Sequence, residues 1–228
     1  MPTTHTDKAF EQDLTDLREK LLAMGAKVET QIAGSVRALS DRDSKLGTQV
    51  IHADAEVNRL EVEIDDLCRR ILALRQPAAS DLRLITTALK IVTDLERIGD
   101  LAVNIAERVL DLNQAPPLPP YNDLPKLAEH AQAQVKRALD AFVAADPGKA
   151  KEVLDGDDLL DALFHKLFND LLALMMEDSK NIRRATSLMF VAKHLERIGD
   201  HAVNVAEMVI YMVKGTDIRH PRSRKLTR

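Results

Sequence analysis

The sequence DLERIGDLAVNIAE occupies residues 94–107, and an almost identical stretch, HLERIGDHAVNVAE, occupies residues 194–207. The two copies lie one hundred positions apart and differ only at 94/194, 101/201 and 105/205. On an α-helix each residue advances about 100° around the axis, so the polar positions of this stretch share about one quarter of the circumference. In the first copy these positions are Glu96, Asp100, Asn104 and Glu107. The repeat therefore predicts one oxygen-rich stripe on a helix in each half of the chain.

The apolar residues of the same stretch, such as Leu95, Ile98 and Ala102, cluster on the opposite side of the helix. We therefore expect the carboxylates to face away from the core. Like charges at i and i+4 destabilise a helix by about 0.2–0.5 kcal/mol, and a mid-helix glycine costs about 1 kcal/mol relative to alanine. Both halves retain both costs, which a bound cation would offset. Gly99 and Gly199 would then let a backbone, or the ion and its waters, approach closely.

Apolar residues recur at helical spacing in three long segments of each half of the chain. The predicted helices span residues 10–39, 50–74, 82–112, 123–145, 147–177 and 180–214. Polar or proline-containing breaks at residues 40–44 and 76–80 separate the first three. Residues 114–120 contain four prolines, which cannot continue a helix and which hold a chain extended, so this segment marks the domain boundary.

These segments predict an all-α fold of two tandem three-helix bundles with internal pseudo-symmetry. We expect a first bundle at 1–115, a proline-rich linker at 116–120, a second bundle at 121–216 and a basic tail at 217–228. Short turns between consecutive helices predict antiparallel neighbours. The exposed positions expected for Met175 and Met176 favour a homodimer.

The middle helix of each bundle carries a second polar pair, again at i and i+4 spacing. Oxygen ligands drawn from two adjacent helices are a common way for bundles to build metal sites. Carboxylate and amide oxygens suit hard cations such as Mg²⁺, Mn²⁺ or Fe³⁺, whereas Zn²⁺ is favoured when imidazole is added. The predicted metal ligands are Asp54, Asn58, Glu96, Asp100 and Asn104 in the first half, and Asp157, Asp161, Glu196, Asp200 and Asn204 in the second.

Composition excludes several other classes of function. A formal net charge of −4, an aromatic content of 3% and the absence of Trp give no case for nucleic acid as a partner. The single Cys68 excludes an intrachain disulfide, and no apolar stretch approaches the ~20 residues of a membrane-spanning helix. We therefore expect a soluble cytoplasmic protein. No nucleophile–base set or phosphate-cradling glycine loop indicates an enzyme.

The motif Leu-Glu-Arg-Ile-Gly-Asp, present twice at this spacing in a chain of this length, resembles the PhoU family of phosphate-signalling regulators. The resemblance covers nearly the whole chain. It implies two three-helix bundles whose Glu-x-x-x-Asp motifs, here Glu96/Asp100 and Glu196/Asp200, bind iron, zinc, manganese or magnesium. It also implies a cytoplasmic adaptor that connects the phosphate ABC transporter, through its ATPase subunit PstB, to the sensor histidine kinase PhoR. Such an adaptor represses the phosphate-starvation response and restrains uptake when phosphate is plentiful, and it meets the membrane only through its partners.

Three points remain open at this level. Asn58 stands where the family usually has aspartate, which should weaken or reshape the first site. His194 and His201 flank only the second motif and are either additional ligands or ordinary packed residues. Two other functions compete with the adaptor: a di-metal carboxylate oxidase or iron store, and a structural scaffold with solvated acidic faces. Iron oxidases of that kind use Glu-x-x-His motifs, and here no histidine has a glutamate three residues before it.

Overall fold

A computed structural model describes residues 8–77, 79–118 and 123–219 of the chain. Within these ranges the structure contains α-helices, one short 3₁₀ turn and no strand, so the predicted all-α class is confirmed. The helices are α1 (Lys8–Asp41), α2 (Ser44–Arg75), α3 (Ala79–Asn113), α4 (Asp123–Ala144), α5 (Pro147–Asp155), α6 (Asp157–Glu177) and α7 (Ile182–Lys214), with the 3₁₀ turn at Ser179–Asn181.

The turn between α1 and α2 is two residues long and is fixed by its own side chains. Arg42 adopts a positive φ of 54°, which reverses the chain. Asp43 then caps α2, since its Oδ1 accepts hydrogen bonds from the backbone N–H groups of Lys45 (2.9 Å) and Leu46 (3.0 Å). A turn this short leaves α1 and α2 antiparallel, as the sequence predicts.

The second bundle differs from the first in its middle helix. The sequence predicts one helix over residues 147–177, and this is wrong, because Gly156 separates α5 from α6. The backbone N–H of Gly156 is shared between the carbonyls of Glu152 and Val153 at 3.2 Å, and glycine contributes no side chain that would favour the helix. As a result Asp157 begins α6, where the partial positive charge of a helix N-terminus favours a carboxylate.

The two bundles share one continuous hydrophobic core. Helices α3 and α7, which carry the repeated motif, pack against each other, and α1 contacts α4. A Cβ at Gly25 of α1 would lie only 2.8 Å from Leu139 of α4, so this glycine permits the close approach. The two pseudo-symmetric halves therefore pack directly against each other, in addition to being joined by the linker.

The chain segment between the bundles is held from both sides. Arg42 donates from Nη2 to the carbonyl of Ala115 at 2.6 Å, and Arg184 donates from Nη1 to the carbonyl of Pro116 at 2.9 Å. The predicted linker at 116–120 is described only as far as Leu118, and residues 121–122 and most of the predicted basic tail lie outside the described residues. Among the described helices, none combines the length and the apolar character needed to cross a bilayer.

Candidate cation-binding clefts

The first cleft lies between α2 and α3, with α1 beneath it. Asp54 of α2 accepts a hydrogen bond from Asn58 Nδ2 (2.9 Å) and another from Gln31 Nε2 of α1 (3.2 Å). A Cβ added at Gly99 of α3 would lie 3.3 Å from Asp54 Oδ1 and 3.1 Å from Gln31 Oε1. The absence of a side chain at Gly99 therefore lets an acid and an amide from the neighbouring helices approach the backbone of α3 closely.

The acids of α3 approach those of α2 in this cleft. Burial raises the pKa of Glu96 above its usual range, and the negative charges of Asp100, Glu61 and Asp54 act in the same direction. Arg97 opposes this effect, because its guanidinium lies 3.4 Å from Glu96 and 3.3 Å from Asp100. Only 17% of the Glu96 side chain is exposed. Glu96 is therefore partly covered in a seam between helices, whereas Asp100, with 41% of its side chain exposed, faces away from the core as the sequence predicts.

The second cleft repeats this arrangement between α6 and α7, above α4. Burial raises the pKa of Asp200 to about 6, with further contributions from the charges of Glu196 and Asp157. Burial also raises the pKa of Asp157, and the charge of Asp161 adds to the shift. Carboxylates that repel each other in a partly desolvated cleft attract cations. The acids of the two clefts differ in position, because Asp161 carries a charge where the first cleft has neutral Asn58, and Phe164 stands where the first cleft has Glu61.

A lysine already occupies part of the second cleft. Lys193 Nζ lies 2.6 Å from Oε1 and 2.5 Å from Oε2 of Glu196, and it also lies 5.2 Å from the centre of the Phe164 ring. The corresponding position in the first half is Thr93. The ammonium group thus neutralises one carboxylate of the cleft from within the protein.

Glycine 199 has a different neighbour from the one at Gly99. A Cβ at Gly199 would overlap the side chain of Leu160, a fully buried residue of α6. Close helix packing therefore accounts for this glycine, rather than the approach of an ion and its waters that the sequence suggested.

Two predicted site residues are not brought into the clefts. Asn204 turns away from the acids of its own bundle and donates from Nδ2 to Asp94 of α3 at 3.2 Å. No hydrogen bond of the Asn104 side chain is found among the described residues. Their positions lie further round the helix than those of the acids, on the side where α3 and α7 meet.

The two flanking histidines serve the packing between the bundles. His201 Nδ1 lies 2.8 Å from Asp94 Oδ1, and this pair joins α7 to α3. His194 lies with its ring nearly parallel to that of Phe190, with 6.5 Å between the ring centres, and burial lowers its pKa. The structure thus pairs His201 with the other bundle, whereas His194 Nδ1 is buried without a hydrogen-bond partner among the described residues.

Sequence reasoning missed two buried glutamines, Gln31 and Gln134. They occupy matching places on the first helix of each bundle, where only 3% and 0% of their surfaces are exposed. The signal that would have found them is a polar residue inside an apolar stripe, repeated in both halves: Gln31 sits beside Ile32, and Gln134 sits beside Val135.

Within the described residues, no three His, Cys, Asp or Glu side chains already converge on a point that could hold a metal ion. A cation would therefore bind only after side chains in a cleft rotate. The second cleft has groups suited to this, because Asp157 Oδ1 and both polar atoms of Gln134 are buried without a hydrogen-bond partner among the described residues. Such atoms fit an oxygen-ligated cation, since buried polar groups normally have a partner.

Fold and site together define a class: all-α proteins built from two pseudo-symmetric helical bundles, each with an oxygen-lined cleft beside the repeated motif. A model of the PhoU domain matches residues 21–109 and 124–209. The chain belongs to the PhoU family.

Individual relatives agree with this assignment. The chain is 45% identical over 219 residues to the "Phosphate-specific transport system accessory protein PhoU homolog" of Pseudomonas aeruginosa, covering 96% of this chain and 90% of that protein. The crystal structure of PhoU from Pseudomonas aeruginosa matches with a TM-score of 0.88 over 91% of this chain and all of that one, at 45% identity. The phosphate transport system regulatory protein PhoU from Streptococcus pneumoniae matches with a TM-score of 0.85 at 27% identity, covering 92% and 99% of the two chains.

Proposed function

We propose that this protein is a cytoplasmic adaptor that negatively regulates phosphate-starvation signalling and phosphate uptake. It connects the phosphate ABC transporter, through its ATPase subunit PstB, to the sensor histidine kinase PhoR, and it has no catalytic activity of its own. Membership of the PhoU family supports a role in regulating phosphate transport, since the relatives are named as accessory proteins of the phosphate-specific transport system.

The close spacing of acids in the two clefts supports the metal-binding part of the proposal. The hydrophobic core does not require these acids. In the second cleft, burial raises the pKa of Asp157 and of Asp200, and the negative charges of Glu196 and Asp161 add to both shifts. A divalent or trivalent cation, such as magnesium, manganese, iron or zinc, would supply positive charge that stabilises this crowding. Asp54, Glu96 and Asp100 would hold the corresponding ion in the first cleft.

Cation binding would require movements of side chains in each cleft. Rotation of the acids toward a cation draws α6 and α7, or α2 and α3, together. In the second cleft, Glu196 must exchange Lys193 for the cation, which frees the ammonium group for solvent or for a partner. Cation binding would thereby change the surface that the protein presents.

A reporter assay tests the regulatory function. In a strain that lacks the gene, a phosphate-starvation promoter should be active even in high phosphate, and the wild-type gene should restore repression. The Glu196→Ala/Asp200→Ala variant should restore less, whereas the control Asp140→Ala/Asp170→Ala, which removes two exposed acids of the same bundle, should repress fully. Equal repression by both variants would contradict a regulatory role for the cleft.

Direct binding tests the two partners. Purified wild-type protein should bind PstB and the cytoplasmic part of PhoR in separate pulldown experiments. If it binds neither partner with or without added Mn²⁺, the adaptor proposal fails. Metal analysis of the wild type and of the Glu196→Ala/Asp200→Ala variant, both purified without chelator, then separates an ion-binding protein from a scaffold with solvated acidic faces.

A homodimer is the second partner proposal. The outer face of α6 exposes Phe168, Leu172 and Met176, the last with 82% of its surface in solvent. The exposed side of α2 carries ion pairs, such as Arg69 with Asp66 at 2.9 Å, beside the single exposed apolar residues Val62 and Leu74. The exposed apolar face of α6 is where we propose that a second copy of the chain binds.

A two-fold axis across α6 would place the apolar residues of the two copies against each other. Light scattering should find a dimer for the wild type and a monomer for Leu172→Glu, whereas Leu74→Glu, a control at an exposed position of α2, should remain dimeric. A monomeric wild type, or a dimeric Leu172→Glu, would contradict this arrangement.

A further inference from the structure

Each bundle buries one glutamine directly beneath its acidic cleft, and the two amides differ in what they contact. In the first bundle, Gln31 Nε2 donates to Asp54 Oδ1 at 3.2 Å. In the second bundle, Gln134 makes no hydrogen bond with either polar atom, and the corresponding carboxylate oxygen, Asp157 Oδ1, is also buried without a partner among the described residues. Both glutamines therefore bury an amide oxygen without a partner among the described residues, but only in the second cleft do the amide N–H group and the acid also remain unpaired.

The position of Gln134 shows that its amide faces the cleft. Nε2 lies 3.5 Å from the point that a Cβ of Gly156 would occupy, and Oε1 lies 4.0 Å from the point that a Cβ of Gly199 would occupy. Gly156 immediately precedes Asp157, and Gly199 immediately precedes Asp200. The amide therefore lies between the two helices that carry the acids, and none of its surface is exposed.

We propose that Gln134 is an additional, neutral oxygen ligand of the second cleft, which binds a hard divalent cation more tightly than the first cleft does. The inference rests on the proposed function, since it concerns the ion that the cleft would hold. Its donors are oxygens alone: the carboxylates of Asp157, Asp161, Glu196 and Asp200 from α6 and α7, with the amide of Gln134 from α4. Carboxylate and amide oxygens without imidazole are the ligands of Mg²⁺ and Mn²⁺.

The hydrogen bonds and charges of the two clefts also predict which cleft binds a cation more tightly. In the first cleft, Asn58 and Gln31 each donate an amide N–H to one oxygen of Asp54. A cation must therefore compete with two hydrogen bonds at that carboxylate. In the second, Asp161 replaces Asn58 and adds a charge, and Phe164 replaces Glu61 and removes one, but Gln134 and Asp157 Oδ1 have no hydrogen bond to give up. The ion pair between Lys193 and Glu196 opposes binding there, because the ammonium group must leave Glu196 before a cation can bind it.

A purely structural role for Gln134, with a buried water between it and Asp157, is the competing explanation. The two explanations predict different effects of a carboxylate at position 134 on the affinity for a cation. A ligand role predicts that Gln134→Glu tightens cation binding, because the oxygen is retained and a charge is added. A role in holding water predicts that every substitution at 134 alters stability and leaves cation affinity unchanged.

The experiment is calorimetric titration of Mn²⁺ into the full-length chain freed of metal by chelation. The first cleft is disabled by Glu96→Ala/Asp100→Ala, so that only the second is measured. In this background, Gln134→Leu should weaken Mn²⁺ binding by about 10- to 100-fold, the range seen when a supporting group of a metal site is lost. Gln134→Glu should strengthen it, and the control Gln31→Leu should leave it unchanged.

Each result of the titration decides one question. Unchanged Mn²⁺ affinity in both Gln134→Leu and Gln134→Glu, with a wild-type cleft that binds, would overturn the role of Gln134 and leave the proposed function standing. Tighter binding by the first cleft, measured with Glu196→Ala/Asp200→Ala, would overturn the ranking. Failure of the unmodified chain to bind Mn²⁺ at all would overturn both this inference and the metal-binding part of the proposed function.

Discussion

The charge of Asp200 should destabilise the metal-free protein at neutral pH. Burial and the neighbouring acids raise its pKa in the folded state from 3.8 to about 6, so the folded chain holds a proton that the unfolded chain has already released. Stability from this group is therefore complete below pH 4 and is lost as the pH rises through 6. We expect Asp200→Asn, which keeps the shape and removes the charge, to stabilise the protein above pH 6.

The size of the effect follows from the pKa. A change from 3.8 to about 6 corresponds to roughly 3 kcal/mol at neutral pH if all of it appears as stability. Asp200 is exposed to solvent, however, and solvent screens its interactions with Glu196 and Asp157, so we expect a gain of about 1 kcal/mol. The gain should vanish near pH 4, where both states of the wild type are protonated.

Urea denaturation in the presence of a chelator, measured between pH 4 and pH 8, provides the assay. The matched control is Asp100→Asn in the first cleft, where the guanidinium of Arg97 lies 3.3 Å from the carboxylate, so that little stabilisation is expected. A variant Asp200→Asn that is less stable than the wild type at pH 7, or whose gain does not depend on pH, would refute the reasoning. Addition of Mn²⁺ should reverse the order, because only the wild type retains all the ligands of the cleft.

Two further predictions concern packing around the repeated motif. Gly199→Ala should lower the free energy of unfolding by about 1–3 kcal/mol, since its Cβ would overlap Leu160, whereas Gly47→Ala, whose Cβ meets its neighbours at ordinary distances of 3.4 Å or more, should be neutral or stabilising in the same urea titration. His201→Leu should lower the free energy of unfolding by about 1–2 kcal/mol, because it removes the hydrogen bond to Asp94 between the bundles. A double-mutant cycle with Asp94→Ala should give a coupling energy of about 1 kcal/mol. Additive effects of the two substitutions would show that the pair contributes nothing.

The sequence alone determined the helices and the location of the acids. Helical periodicity is a local property, so the apolar repeats predicted most helix boundaries to within a few residues. The duplicated motif also fixed which residues of α3 and α7 would face the neighbouring helices, because a helix carries its polar stripe wherever it packs. This local reasoning failed at two places: α2 begins at Ser44, six residues before the predicted start, and Gly156, a residue of low helix propensity, separates α5 from α6.

Tertiary structure decided which groups share a cleft. Gln31 and Gln134 lie 23 residues or more from the acids they approach, and no spacing rule connects residues on different helices. The packing of α3 against α7 likewise took Asn204 and His201 out of the second cleft and paired them with Asp94, more than one hundred positions away. Contacts between helices depend on how whole bundles fit together, and the packing of helix surfaces settles that fit, whereas the period of any one helix does not.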